Sequence, residues 1–187
     1  MTAHFGPSAL ATPANLLTVA RLVLTIPLLV MVVDTAATWP AVALWVVLCV
    51  SDGIDGHLAR RHGTTRSGAF LDPLADKVLV LGAMAALVAN ETFWWLPVAI
   101  IAARELSIQA FRSYWGKKGL AVPATGLAKA KTVTQEVAVG FGLLPFTATD
   151  ATWVATAVLW AAVALTVVTG VQYVTAGSRA ATTAGHL

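Results

Sequence analysis

The chain has 187 residues, enough for one domain, and it is 58% hydrophobic but only 11% charged. Ordinary soluble domains carry about 25% charged residues, so this composition excludes a soluble globular protein and predicts an integral membrane protein. The net charge of +3 is small and the basic residues cluster, which favours anionic headgroups and phosphates over nucleic acid, whose binding usually needs a broad basic face.

Six apolar segments follow a polar-to-mixed lead, residues 1–14, which holds no Lys or Arg and so lacks the basic start of a signal peptide. Each segment is near the ~20 residues of a membrane-spanning helix, and Asn15 is expected to cap the first. The segments are Leu16–Val33, Trp39–Arg60, Gly68–Ala89, Phe93–Ser113, Gly126–Phe146 and Thr152–Thr175. We predict a short cytosolic lead, one six-helix membrane domain over residues 15–177, and a flexible C-terminal tail over 178–187.

The connections between these segments differ in charge. The first, third and fifth hold acidic residues and no Lys or Arg, whereas the second holds Arg61 and Arg66 and the fourth holds Lys117 and Lys118. The positive-inside rule therefore places both termini and the second and fourth connections in the cytosol. Tryptophans at the opposite ends of the segments fit an aromatic belt at the other interface. They are Trp39, Trp94, Trp95 and Trp153.

One stretch, residues 52–76, concentrates carboxylates between apolar segments. Its acidic residues are Asp52, Asp55, Asp72 and Asp76. On helices the first two are three positions apart and the last two four apart, so each pair lies on one helix face. Two helices meeting near residues 60–68 would bring the pairs together in a pocket of oxygen ligands, which suits Mg²⁺, Mn²⁺ or Ca²⁺.

Small residues accompany these carboxylates. Gly56, Ala59 and Gly68 each lie one helical turn from one of the Asp residues, so a ligand can approach the helix backbone there. Arg60 lies one turn beyond Gly56, where it can meet an anion such as a phosphate. The stretch therefore predicts a site for a phosphorylated ligand as well as for metal.

Further charged residues lie inside or at the edge of the segments on the predicted cytosolic side. They are Arg21, Arg104, Glu105, Arg112, Lys129 and Lys131. Charge within a membrane is costly and usually faces a partner or a water-filled cavity, so we predict a basic rim around the acidic centre. Adjacent helical residues diverge by ~100°, so Arg104 and Glu105 are not expected to pair with each other. Lys129 and Lys131 are two positions apart and do not share a helix face.

The pattern Asp52-x-x-Asp55-Gly56-x-x-Ala59-Arg60, followed by Gly68-x-x-x-Asp72-x-x-x-Asp76, resembles the signature of the CDP-alcohol phosphatidyltransferases. The stretches 15–21, 68–77, 104–105 and 126–132 resemble the bacterial phosphatidylglycerophosphate synthases of that family. The resemblance implies six transmembrane helices around a cytosol-facing polar cavity, usually in a homodimer of the bacterial plasma membrane. It also implies transfer of a phosphatidyl group from CDP-diacylglycerol to sn-glycerol 3-phosphate, with release of CMP.

The resemblance further implies roles for individual residues. Two divalent cations, Mg²⁺ or Mn²⁺, would be held by Asp52, Asp55, Asp72 and Asp76. Asp76 would also take the proton from the acceptor hydroxyl. The CDP group would be bound by Asp52, Asp55, Gly56, Ala59, Arg60 and Gly68. The acceptor phosphate would be bound by Arg104, Arg112, Lys129 and Lys131.

Three alternative functions fit parts of the sequence. A phosphatidylinositol phosphate synthase would use inositol phosphate on the same scaffold. A cation transporter would use the Asp cluster for translocation, but transporters more readily show internal repeats or acidic residues in the middle of their spans. A catalytically inactive membrane scaffold is disfavoured by the intact signature.

Overall fold

A computed structural model of the chain describes residues 13–35, 37–62, 68–117 and 126–184. Side chains are described within these ranges except at 13–14, 54–62, 68–72, 112–117, 126, 128, 174 and 176–184. The elements in this part of the chain are all α-helices. They are α1 (Pro13–Thr35), α2 (Trp39–His62), α3 (Gly68–Ala89), α4 (Trp95–Lys117), α5 (Gly126–Leu143), α6 (Pro145–Thr149) and α7 (Thr152–Ala184).

The predicted all-α class is confirmed for the described residues, and the long helices lie where the apolar segments predict them. Three ends differ. α1 begins at Pro13, a residue suited to a first helical position, so Asn15 is buried inside the first turn and the expectation that it caps the helix is wrong. The fifth segment was expected to continue to Phe146, but it is divided into α5 and α6 at Pro145, whose missing N–H cannot continue the helix. The backbone of α7 is helical to Ala184, beyond the start of the predicted tail.

The six long helices pack as a ring in the order α1, α2, α5, α7, α4, α3, with α3 also touching α5 across the middle. The closest associations are α5 with α7 and α1 with α3. The core between them is apolar and includes Leu28, Leu48, Met84, Ile101 and Leu159. The buried charged side chains of the described residues are Arg21 of α1, Glu105 of α4 and Lys131 of α5, so these helices, with the neighbouring α2 and α3, position the candidate site.

One end of the ring is formed by short connections. Thr35, Asn90, Thr147 and Thr152 lie around a common pocket at this end, so the first, third and fifth predicted connections come together in space. Successive long helices therefore run in opposite directions. The exposed tryptophans Trp39, Trp94, Trp95 and Trp153 stand at or just before the starts of α2, α4 and α7, at this same end.

The outer surface of the ring is strongly apolar. Large hydrophobic side chains are exposed along α1, α2 and α7, where water would disfavour them. Examples are Val23, Ile26, Val30, Val46, Val47, Val50, Val167, Val168 and Val171. By length and composition, two segments of the described helices are able to cross a membrane, Asn15–Thr35 and Thr152–Tyr173. A further apolar stretch of the described helices, Trp39–Gly53 of α2, is shorter.

Candidate active site

A cluster of carboxylates lies inside the ring near the end opposite the short connections. Asp52 of α2, Asp76 of α3 and Glu136 of α5 each place one carboxylate oxygen within 4.8 Å of the other two. Asp52 and Asp76 were predicted to lie together from their spacing, and the structure brings them together. Glu136 was not predicted as a site residue. Burying an acidic side chain within a membrane span costs free energy, so its position in an apolar segment could have indicated a functional role.

Arg21 of α1 is paired with this cluster. Its Nη1 lies 2.6 Å from Asp52 Oδ1, and the arginine side chain is only 1% exposed. The sequence placed Arg21 in a basic rim, and the structure shows that it compensates a carboxylate of the centre instead. The carboxylate cluster still carries more negative than positive charge among the described residues, which favours a bound cation.

A second charged cluster surrounds Glu105 of α4, which is buried. Glu105 accepts from Lys77 Nζ at 2.8 Å on Oε2 and from Arg104 Nη1 at 3.0 Å on Oε1. The ammonium group of buried Lys131 also contacts Oε1. One carboxylate is therefore surrounded by three cations from α3, α4 and α5. We call these four residues the Glu105 cluster.

The pairing of Arg104 with Glu105 corrects the sequence-based expectation that these neighbours diverge. Their Cβ atoms do point in different directions, but the arginine side chain is long enough for its guanidinium to return to the neighbouring carboxylate. Arg104 Nη2 also donates to Thr169 Oγ1 of α7 at 3.1 Å. Its side chain runs along Gly170, where an added Cβ would come within 3.5 Å of Nε. Arg104 Nε is buried and has no hydrogen-bond acceptor among the described residues.

The two clusters share helices. Asp76 and Lys77 are adjacent on α3, and Lys131 precedes Glu136 on α5. Between them Gln135 Nε2 donates to Thr166 Oγ1 of α7 at 3.0 Å, and both groups are buried. An acidic region and a basic region therefore lie side by side in the ring. Such a pair of regions suits one ligand held through cations and a second held through fixed positive charge.

An apolar groove borders the carboxylate cluster. It has a volume of about 340 Å³, lies between α2 and α5, and is open on its outer side. Val46, Val50, Val137 and Phe141 line it, and Glu136 contributes the charged group in its wall. The groove offers an apolar ligand a position next to the carboxylates.

Comparison with known proteins assigns the chain to a family. Residues 11–168 match the family described as CDP-alcohol phosphatidyltransferase. The chain belongs to the CDP-alcohol phosphatidyltransferase family. The family predicted from the signature is thereby confirmed, and the Asp residues of the carboxylate cluster are two of the four in that signature.

Curated relatives cover most of the chain. It is 37% identical over 177 residues to a protein of Mycobacterium tuberculosis (strain H37Rv) named probable phosphatidylglycerophosphate synthase, covering 90% of this chain and 83% of the relative. It is 42% identical over 135 residues to the CDP-diacylglycerol–glycerol-3-phosphate 3-phosphatidyltransferase of Escherichia coli (strain K12), covering 68% of this chain and 74% of the relative.

The other predicted residues of this phosphatidyltransferase fall into three groups. Some lie on described backbone but have side chains outside the described part: Asp55, Gly56, Ala59 and Arg60 on α2, Gly68 and Asp72 on α3, and Arg112 on α4. Arg104 and Lys131 meet at Glu105. Lys129 is exposed and takes no part in the described contacts of that cluster. Lys77 belongs to the cluster but was not predicted as a site residue.

Proposed function

We propose that this phosphatidyltransferase transfers the phosphatidyl group of CDP-diacylglycerol to sn-glycerol 3-phosphate, releasing CMP and forming phosphatidylglycerophosphate. The observation that carries the proposal is that an acidic cluster and a basic cluster are neighbours along α3 and α5 in a member of this family. Both substrates are anionic and repel each other unless counter-charge is present. The names of the relatives support glycerol 3-phosphate as the acceptor.

Asp52, Asp55, Asp72 and Asp76 would hold two divalent cations, Mg²⁺ or Mn²⁺. The described part of this set fits such ions, because carboxylate oxygens from different helices converge within 4.8 Å. Divalent cations bound here would neutralise the diphosphate and the departing CMP. In the same proposal Asp52, Asp55, Gly56, Ala59, Arg60 and Gly68 bind the CDP group, and the small residues leave room for it.

Asp76 would act as the base. Its carboxylate is half-buried on α3, next to Lys77 in the chain and so next to the Glu105 cluster. The acceptor hydroxyl would attack the phosphorus that bears diacylglycerol, its proton would pass to Asp76, and the phosphorus–oxygen bond to CMP would break. A carboxylate near cations is a weak base, so positioning and charge neutralisation would supply most of the acceleration.

The acceptor phosphate would bind at the Glu105 cluster, through Arg104, Lys131 and the newly identified Lys77. Three cations surround one carboxylate there, so two positive charges remain to meet a phosphate dianion. Glu105 holds the cations in place before the substrate arrives, which lowers the entropy lost on binding. Arg112 remains a proposed contributor, whereas Lys129 is exposed outside the Glu105 cluster and is not included.

The lipid substrate supports a placement of the chain in a bilayer. The groove between α2 and α5 would accept an acyl chain while the headgroup reaches the carboxylates beside Glu136. We further propose that the six long helices all span the bacterial plasma membrane around a cytosol-facing cavity, with both termini in the cytosol, and that the protein is a homodimer. The exposed apolar surface supports membrane insertion.

Release of CMP by the purified protein tests the function. With CDP-diacylglycerol and Mg²⁺, we expect release with sn-glycerol 3-phosphate and none with inositol phosphate or free glycerol. Turnover with inositol phosphate but not with glycerol 3-phosphate would leave the family assignment intact and show that the proposed acceptor is wrong. Cation flux into liposomes without any CMP release would favour the transporter instead.

A further inference from the structure

Glu136 is a carboxylate of the acidic cluster that lies outside the signature of the family. One of its oxygens lies within 4.8 Å of an oxygen of Asp52 and one of Asp76, although the three residues come from α5, α2 and α3. Two oxygens on opposite sides of a single ion lie about 4 Å apart for Mg²⁺ and about 5 Å apart for Ca²⁺. The spacing of the cluster therefore matches ligands of one divalent cation.

The packing of α5 fixes the place from which Glu136 projects. Trp45 Nε1 of α2 donates to the backbone carbonyl of Glu136 at 3.3 Å. On the adjacent residue, Gln135 Nε2 donates to Thr166 Oγ1 of α7 at 3.0 Å. These contacts with α2 and α7 fix the rotation of α5 about its own axis. The approach of Glu136 to the two Asp residues is therefore a consequence of helix packing.

The charges of the cluster are unbalanced. Arg21 pairs with Asp52, whereas Asp76 and Glu136 have no ion-pair partner among the described residues. Among the described residues, three carboxylates less the guanidinium of Arg21 leave two negative charges, which one divalent cation would neutralise. Carboxylates at this distance repel strongly inside a bundle of low dielectric constant, and a bound cation removes the repulsion.

We propose that Glu136 supplies a carboxylate oxygen to the divalent-cation site, so that the cation ties α5 to α2 and α3. This inference rests on the proposed function, in which Asp52 and Asp76 hold the cation. Because α5 also carries Lys131, cation binding would fix the distance between the cation site and the Glu105 cluster. Glu136 thereby links the metal to the position of the acceptor.

Binding of Mn²⁺ to the purified full chain, without substrate, tests this role. Free Mn²⁺ is measured by its electron paramagnetic resonance signal during titration. Glu136→Gln keeps the shape of the side chain and removes its charge, and we expect it to raise the Kd by about tenfold or more. Asp34→Asn removes an exposed carboxylate from the opposite end of the ring and should leave the Kd unchanged.

Asp52→Asn separates failure of this inference from failure of the proposed metal site. If Asp52→Asn loses Mn²⁺ binding while Glu136→Gln keeps the wild-type Kd, Glu136 is not a ligand and the inference is overturned. If neither substitution changes the Kd, the metal site itself is wrong. Circular dichroism and size-exclusion profiles show whether each variant is folded.

A second measurement uses the unaltered chain and does not depend on the folding of a variant. Fe²⁺ replaces Mn²⁺ in the site, and hydrogen peroxide then oxidises residues close to the ion. Mass spectrometry should locate oxidation in peptides that contain positions 52, 76 and 136, and excess Mg²⁺ should suppress it. Oxidation around Asp52 and Asp76 with an unmodified Glu136 peptide would overturn the inference.

Discussion

Arg21 and Asp52 join α1 to α2 through a 2.6 Å contact between Nη1 and Oδ1. The arginine is buried, whereas 38% of the aspartate side chain is exposed. Asp52, the first carboxylate of the signature, is thus paired with an arginine of α1, a helix that contributes no residue to the signature. The pair orients Asp52 and offsets part of the repulsion between the carboxylates.

Replacing Arg21 should therefore make the fold more dependent on metal. Arg21→Gln removes a hydrogen bond between charged groups and should lower the free energy of unfolding by about 1.5–3 kcal/mol in metal-free buffer. A bound divalent cation would supply the missing counter-charge, so Mg²⁺ should raise the Tm of the variant more than that of the wild type. Thermal unfolding with and without Mg²⁺ measures this, and equal Mg²⁺ shifts would contradict it.

The proposed catalytic role of metal leads to a second prediction. EDTA should abolish CMP release, and Mg²⁺ or Mn²⁺ should restore it, because the diphosphate of CDP-diacylglycerol needs counter-charge. Asp52→Asn, Asp55→Asn and Asp72→Asn should each lose activity while the protein still inserts and purifies. Glu91→Gln, at the opposite end of the ring, is the matched control and should remain active. Full turnover in metal-free buffer would remove the proposed mechanism.

Close packing near that opposite end gives a prediction of stability alone. A Cβ on Gly142 would lie 2.8 Å from Leu87 and 2.9 Å from Phe93, whereas a Cβ on Gly140 would meet Trp45 at an ordinary 3.6 Å. Gly142→Ala should cost about 1–3 kcal/mol of unfolding free energy by overpacking. Gly140→Ala should cost little, since alanine favours helix. Thermal unfolding of the two variants compares them, and equal Tm values would argue against the close contact.

Much of the helical fold follows from the sequence, because long apolar segments with short connections specify helices of matching length. α2 and α3 contain the predicted spans, and Pro145 alone divides the fifth. The convergence of Asp52 and Asp76 also follows, since their helices are joined by a short connection. The six-span count, the dimer and the orientation remain predictions.

Contacts between distant helices were harder to predict. The spacing of charges gives the helix face on which a residue lies, but not the neighbour that this face meets. Lys77 and Glu105 pair across 28 positions of sequence, and Glu136 reaches Asp52 only because α5 packs against α2. Arg104 reaches the neighbouring Glu105 because its side chain is long and flexible. The ~100° between adjacent Cβ directions on a helix does not reveal such a contact.

Orientation in the membrane is testable by labelling. The structure brings the first, third and fifth connections to one end, and their lack of Lys and Arg predicts that this end is outside. In a Cys49→Ser background, single cysteines replacing Asp34, Glu91 or Asp150 should react with an impermeant thiol reagent on intact cells. A cysteine replacing His62 should react only after the cells are opened. Labelling of the His62 site alone would reverse the orientation.

Lys131 and Lys129 form a matched pair for the acceptor site, two positions apart on α5. Lys131 is 5% exposed and contacts Glu105, whereas Lys129 is exposed. Loss of one charge-assisted bond to the acceptor phosphate costs about 1.5–3 kcal/mol, which is roughly ten- to hundredfold in affinity. Lys131→Ala should raise the KM for glycerol 3-phosphate by that factor and change the KM for CDP-diacylglycerol far less.

Lys129→Ala should change neither KM by more than about twofold, because the exposed ammonium is solvated and lies outside the Glu105 cluster. The comparison also guards against a general loss of structure, which would lower kcat and affect both substrates. Initial rates of CMP release, measured while both substrate concentrations are varied, give the KM of each variant for each substrate. Equal effects of the two substitutions on the KM for glycerol 3-phosphate would contradict binding of the acceptor phosphate at the Glu105 cluster.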